Sequence, residues 1–124
     1  MSLATGQQAL IRRITASLPL VNIVLPNGQP KELPRYVIES TGGEQKAADI
    51  SGTVEASVEI TVRVETQKGQ FASENNALVN DLVDLFQIGN RFDGITIIEA
   101  PVLESAELGA IYSVPVKIKG IFEF

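Results

Sequence analysis

The stretch that most constrains this chain is residues 53–66, TVEASVEITVRVET, in which apolar and polar residues alternate over twelve positions, from Val54 to Glu65. Every second residue from Val54 to Val64 is apolar, and the residue after each of them is polar: three glutamates, an arginine, a serine and a threonine. This alternation is typical of a β-strand with one face in a core. At about 3.3 Å per residue the strand would extend about 40 Å, whereas a usual strand has about 5–6 residues. Any fold for this chain must accommodate one unusually long strand.

Two segments show the spacing of amphipathic helices. In residues 5–18 the apolar side chains gather on one face, and Pro19 ends the predicted helix because the residue before a proline disfavours helical geometry. Residues 73–88 predict a second helix, with Ser73 as its N-cap and Gly89 placed for its C-terminal cap. Each helix therefore has one face to bury against a sheet.

The other apolar segments predict strands. These are residues 20–25, 35–40, 53–66, 95–100, 102–108 and 111–124. Pro115 cannot donate to a strand ladder, so the last strand lies at an edge or turns its proline nitrogen away from the neighbouring strand. Residues 41–52, TGGEQKAADISG, have no periodicity and predict a long flexible loop at the tip of a hairpin.

The order of elements is α-β-β-β-α-β-β-β. It predicts an α+β fold, a mainly antiparallel β-sheet with a long β-hairpin packed against two helices, in a single domain over residues 1–124.

The polar faces of two strands carry opposite charges. Glutamates dominate the polar face of residues 53–66, and Lys117 and Lys119 share one face of the last strand. If these strands pair antiparallel, opposite charges meet across them. Two interpretations remain open: a solvated face with cross-strand ion pairs, or a surface that contacts a neighbouring subunit.

Residue types that carry common chemistry are missing from the sequence. The chain has no His and no Cys, and it has neither a Rossmann nor a P-loop glycine motif. Glu44 and Asp49 are conceivable oxygen ligands, but their spacing matches no known metal loop. We therefore expect no enzymatic activity, no cofactor and no metal.

The net charge and the length of the apolar segments limit the partners that this chain can have. A formal charge of −5 argues against nucleic-acid affinity, which needs clustered Lys and Arg. The apolar run at residues 18–25 is too short to cross a bilayer, so no membrane partner is expected. Phe71, in a polar loop, predicts either packing under that loop or an anchor for a partner. Arg91 and Phe92 carry the same ambiguity, and we expect Phe92 to belong to the core.

The sequence of elements resembles a known family. The resemblance rests on the segments VNIVLPNG, LPRYVIE, KGQFASENNALVNDLVDLF, RFDG and YSVPVKIKGIFEF, in that order. Their arrangement is similar to that of the tail terminator proteins of long-tailed bacteriophages and of prophage-derived tail operons. It covers nearly the whole chain, as a pattern of elements without a short invariant motif.

The resemblance implies a structural virion component. Such subunits form a homo-oligomeric ring, usually a hexamer, at the head-proximal end of the tail, after assembly in the host cytoplasm. The ring caps the tail tube, stops tube polymerisation and presents the surface on which the head docks. Its implied partners are other copies of itself, the tail tube protein and the head-tail connector protein, and DNA passes through without specific binding.

Carried onto this chain, the implied contact elements are the loop at residues 41–52, the polar face of residues 53–66 and the loop at residues 67–72. The predicted interface residues are Glu44, Lys46, Asp49, Glu55, Glu59, Arg63, Lys68 and Phe71.

Three alternatives compete with this interpretation. A head-tail connector or a tail tube subunit belongs to the same apparatus. A small bacterial ligand-binding module would be a monomer with a concave apolar pocket. An enzyme would require two close carboxylates in such a pocket.

Overall fold

The computed structural model describes residues 3–18, 21–47, 54–67 and 73–123. Two helices, α1 (Leu3–Ser17) and α2 (Ser73–Asp84), lie on one face of a mostly antiparallel sheet. The strands are β1 (Asn22–Val24), β2 (Arg35–Ala47), β3 (Val54–Gln67), β4 (Arg91–Phe92), β5 (Ile95–Thr96), β6 (Val102–Leu103), β7 (Glu107–Leu108) and β8 (Ile111–Glu123). The predicted α+β class and order of elements are confirmed.

The long strand lies in the middle of the sheet. The strand order is β1-β2-β3-β8-β5-β4, and β6 and β7 also pair with β8. β1 is parallel to β2, and every other pairing is antiparallel. β8 accompanies β3 from Glu55 to Gln67, and β2 covers its other edge. The long strand β3 therefore pairs along nearly its whole length with a strand on each side.

The predicted loop at residues 41–52 is wrong for its first seven residues. β2 continues to Ala47, which pairs with Val54, while residues 48–52 lie outside the described residues. A register shift between Ser40 and Gly42, with Gly42 at φ 147°, marks a bulge that interrupts the alternation. The paired strand β3 imposes the extended backbone although TGGEQKA lacks a strand pattern of its own.

Pro115 occupies a central strand, so the expected edge position is wrong. The other prediction, that its nitrogen turns away from the neighbouring strand, is confirmed. Pro115 faces Arg63 of β3 on one side, and on the other its carbonyl accepts a hydrogen bond of 2.9 Å from the amide of Glu104. The nitrogen and carbonyl of a strand residue point to the same side. The missing N–H therefore falls away from β3, in the break between β6 and β7.

The apolar face of β3 forms the centre of the core. Ala56, Val58, Ile60, Val62 and Val64 are each 0% exposed. The side chains that pack around them come from both helices, from the neighbouring strands and from the segments that connect them. These are Ala9, Leu10, Ile14, Val79, Leu82, Phe86, Tyr36, Ile38, Ile95, Ile97, Val114, Val116, Ile118 and Phe122.

Close approach explains a glycine on the same face of β8. A Cβ at Gly120 would lie 2.4 Å from the Ile95 side chain and 3.5 Å from that of Leu10. Glycine lets α1 and β5 pack directly against the strand.

Polar contacts fix α2 on the sheet. The Tyr36 hydroxyl donates a 2.6 Å hydrogen bond to the Leu78 carbonyl, and Asn75 Nδ2 donates to the Val64 carbonyl at 2.8 Å. Burial, followed by the nearby negative charge of Asp81, raises the pKa of Tyr36. The helix ends at Asp84, earlier than predicted.

The last predicted residues of α2 form tight turns. The amides of Leu85 and Phe86 bond to carbonyls three residues earlier, and Gly89 at φ 93° reverses the chain. Phe92 then packs against Phe86, ring centroids 5.8 Å apart, and beneath the Arg13 guanidinium at 4.5 Å. Phe92 is half-buried against the core, as expected, and Arg91 is exposed.

Within the described ranges, neither helix is long and apolar enough to span a membrane.

Candidate assembly surfaces

Helices cover one face of the sheet, and the polar side chains of β2, β3 and β8 occupy the other, which we call the outer face. Arg63 of β3 is central to it: its guanidinium contacts Glu39 of β2 at 3.1 Å and Glu107 of β7 at 3.0 Å. Burial lowers the pKa of Arg63, but the hydrogen bonds and charges of both glutamates outweigh it and raise the pKa. One arginine thus connects strands on both sides of its own.

Two further ion pairs extend this pattern. Arg35 of β2 contacts Glu65 of β3 at 2.7 Å, where both side chains are mostly buried, and Lys117 of β8 contacts Glu104 at 2.9 Å. The hydrogen bond to Glu104, with smaller contributions from its charge and from Glu59, raises the pKa of Lys117. Ion pairs therefore do cross strands on the outer face, but these partners differ from the predicted ones. The prediction joined glutamates of β3 to Lys117 and Lys119, and the register places Glu59 opposite Lys119, whereas the contact of Lys117 goes to Glu104.

The predicted interface residues fall into three groups. Glu55, Glu59 and Arg63 lie on the outer face, half-exposed. The backbones of Glu44 and Lys46 lie in β2, opposite Ser57 and Glu55. The remaining three, Asp49, Lys68 and Phe71, lie outside the described residues.

The edges of the sheet hold surfaces that the sequence analysis did not find. Six large apolar side chains are exposed among the described residues. They are Leu25, Ile88, Ile98, Val102, Leu103 and Leu108. Three belong to residues 102–108, which we call the edge ribbon: Val102, Leu103 and Leu108 are 56%, 52% and 68% exposed. The edge ribbon lies along β8, and no strand of the described residues pairs with its far side.

The opposite edge carries a groove. This groove, the β1 groove, has a volume of about 530 Å³ beside β1. Its lining includes Val21, Ile23, Val24, Leu25, Gln29 and Lys31. The last three are exposed, so the groove is open along the surface. An open apolar groove suits an extended segment better than a small molecule, since small-molecule sites bury most of the ligand.

The sequence contained a weak signal for the edge ribbon. VLESAEL was predicted as a strand, yet its apolar residues do not form the continuous inward face that β3 and β8 have. A strand that leaves large apolar side chains outside the core is a candidate for contact with another chain.

The described residues contain no group of three or more acidic side chains placed to hold a metal ion.

Comparisons with known proteins give a fold. No protein-family model matches the chain, and no curated protein is significantly similar to it in sequence. The chain is similar to a solved protein chain from the virion of a native gene transfer agent particle, with a TM-score of 0.60 at 14% identity. That similarity covers 95% of this chain and 94% of the other.

A second solved structure has the same TM-score of 0.60 at 16% identity, and it covers 100% of this chain and 97% of the other. At these identities the comparisons show a common fold, complete from one end of the chain to the other.

Proposed function

We propose that this chain is a structural component of a virion, and specifically a tail terminator. Copies of it form a ring, a hexamer in our proposal, on the head-proximal end of the tail tube, where the ring stops polymerisation and receives the head. One observation carries the proposal: the chain shares its fold, over nearly the full length of both proteins, with a chain of a gene transfer agent virion. The order of segments that resembles tail terminators supports the finer assignment.

The surfaces of the subunit agree with an assembly role. Ring contacts between identical subunits join two different surfaces of each copy, and this chain presents two different sheet edges. The outer face is polar but internally paired, which leaves a rigid surface for contact with the tube or the connector. The function we propose needs no catalysis and no cofactor.

The charge of the chain fits passage of DNA. Six copies at −5 each give a formal charge of −30. Phosphate contacts with Lys and Arg create affinity for DNA, so an electronegative channel would let DNA slide through without holding it. A ring whose channel proved to be lined by Lys and Arg would contradict this part of the proposal.

Loss of the protein during particle assembly tests the function. The coding sequence is deleted from the genome that carries it, and the tails are measured by electron microscopy. A terminator predicts tubes that are longer and more variable than normal and that lack heads. Adding the purified protein should restore length control.

The alternatives predict other outcomes. Loss of a tube subunit removes the tubes, and loss of a connector leaves tails of normal length without heads. In sedimentation and native mass spectrometry, a terminator forms a closed ring, a tube subunit forms open polymers, and a ligand-binding module remains a monomer. Any of these three alternative results would reject the tail terminator.

A further inference from the structure

The edge ribbon and the β1 groove lie at opposite edges of the sheet but at the same level along the strands. Asn22 of β1 faces Arg35, which faces Glu65 of β3. Glu65 faces Ser113 of β8, and Ser113 faces Glu107 of the edge ribbon.

Leu25 and Leu103 share a second level. Val24 faces Val37 of β2 as the last pair of this ladder, and Leu25 follows it in the direction of Ile38, at the start of a tight turn. From Ile38 the pairing runs through Val62 and Val116 to Leu103. The two exposed leucines therefore mark matching heights on the two edges.

The strand directions also match. β6 and β7 run antiparallel to β8, β8 to β3, and β3 to β2, while β1 is parallel to β2. The edge ribbon is therefore antiparallel to β1. Placed beside β1 of a second copy in the same orientation, it would continue the sheet in the antiparallel pairing that most of this sheet uses.

The two surfaces are chemically complementary. The edge ribbon presents Leu103 and Leu108 together with Glu104 and Glu107, and it contains no Lys or Arg. The residues that line the β1 groove are mostly apolar, and Lys31 is the single charged residue among them. Glu104 and Glu107 already contact Lys117 and Arg63 of their own chain, so the match is mainly apolar, with Lys31 as a single opposite charge across the contact.

We infer that the edge ribbon of one copy docks in the β1 groove of the next copy, with Leu103 against Leu25 and Glu107 near Asn22 and Lys31. This inference rests on the proposed ring and names the contact that closes it. Because the two surfaces are in register, the contact adds no shift of register from one copy to the next. Such a head-to-tail contact closes a ring when its rotation closes, and it gives an open filament when it does not.

Disulfide trapping tests the contact directly. The chain has no cysteine, so every disulfide formed comes from the introduced residues. The variant with both Leu25→Cys and Leu103→Cys is oxidised at high protein concentration and run on a denaturing gel without reductant. Cysteines bond only when their Cα atoms approach within about 7 Å. We expect a ladder that ends at the number of subunits in the ring.

Three controls accompany this variant. The two single variants can form disulfide-linked dimers at most, and they should remain monomeric on the gel, because Leu25 meets Leu103 and not another Leu25. Pairing Leu25→Cys with Ala77→Cys, an exposed position on α2, should give only background products. The variant Leu103→Glu, at a position 52% exposed and within the proposed contact, should keep the fold and weaken self-association at least about tenfold, because it places a charge in an apolar contact.

The outcomes separate the contact from the function. Closed rings in sedimentation without the ladder, or a ladder of equal strength from the Ala77→Cys pair, overturn the contact and leave the tail terminator standing. A ladder together with open-ended filaments keeps the contact and overturns the terminator. Monomers at every concentration without any ladder overturn both.

Discussion

The two faces of β3 belong to one strand but differ in burial and polarity. On the inner face, five successive side chains from Ala56 to Val64 are completely buried beneath the helices. On the outer face, Glu55, Glu59 and Arg63 alternate with them and remain half-exposed, and Arg63 pairs with glutamates of neighbouring strands. The inner face holds the subunit together, whereas the half-exposed positions of the outer face can change with little cost to the fold. Thr61 and Glu65, on the same outer face, are buried and are not among these positions.

The difference separates the residues that the fold requires from those that it does not require. Burial of apolar area supplies the stability, and ion pairs near the surface contribute about 0–1 kcal/mol each. Surfaces for assembly can therefore be built from side chains that the fold does not require. Three predictions test this separation.

The largest effect is expected at the centre of the inner face. Replacing Ile60 by Ala should lower the free energy of unfolding by about 2–5 kcal/mol, because it removes buried methyl groups and leaves a cavity. Urea denaturation measures the change. The matched control is Glu59→Ala, one residue away on the outer face, which should cost less than about 1 kcal/mol. Similar decreases in the free energy of unfolding in the two variants would show that both faces of β3 contribute equally to stability.

A smaller effect is expected at the polar contact between β2 and α2. Tyr36→Phe removes the hydroxyl that bonds to the Leu78 carbonyl and should cost about 0.5–1.5 kcal/mol at neutral pH. Tyr112→Phe is the control, since Tyr112 makes no hydrogen bond through its hydroxyl within the described residues.

The same variant has a signature in pH. Burial raises the pKa of Tyr36 in the folded protein above its ordinary value of about 10. The stabilisation that comes from this raised pKa is present below pH 10. It is lost as the pH rises above 10, because Tyr36 releases its proton in the unfolded chain before it does so in the folded protein. Between pH 9 and 11, Tyr36→Phe should therefore lose stability less steeply than the natural chain. Parallel slopes would refute a buried, protonated Tyr36.

The smallest effect is expected on the outer face. Arg63→Met removes both ion pairs and should lower the free energy of unfolding by less than about 1 kcal/mol at low salt, and by still less at 1 M salt, where charges are screened. Thermal unfolding at the two salt concentrations measures this. Arg91→Met, at an exposed arginine without an ion pair in the described residues, should show no such salt dependence. A loss above about 2 kcal/mol would make Arg63 part of the structural core.

The sequence predicted those parts of the fold whose pattern is local. β3 and β8 alternate along their length, and the helical apolar stripes are regular, so each could be located without knowledge of its partners. Residues 41–47 could not, because Gly42 and Gly43 break the pattern and the backbone becomes extended only by pairing with β3. The short strands β6 and β7 likewise form because they pair with one edge of β8.

The candidate surfaces divide in the same way. Alternation along β3 was sufficient to place Glu55, Glu59 and Arg63 on the outer face. The edge ribbon and the β1 groove depend on which strands end the sheet, a property of the topology. In the sequence, only the incomplete apolar face of VLESAEL gives a weak signal for the edge ribbon. Exposed apolar side chains such as Leu108 are recognisable only when the core is known.

Pro115 has a consequence for the behaviour of the protein in a crowded cell. Without an amide hydrogen at this position, the edge ribbon cannot bond continuously to β8, and it is divided into two strands of two residues each, β6 and β7. Long, flat, unpaired strands are templates for indiscriminate aggregation and fibril growth, and interrupted ones are poor templates. Pro115, in the interior of the sheet, thus makes the edge of the sheet a poor template for non-specific strand pairing.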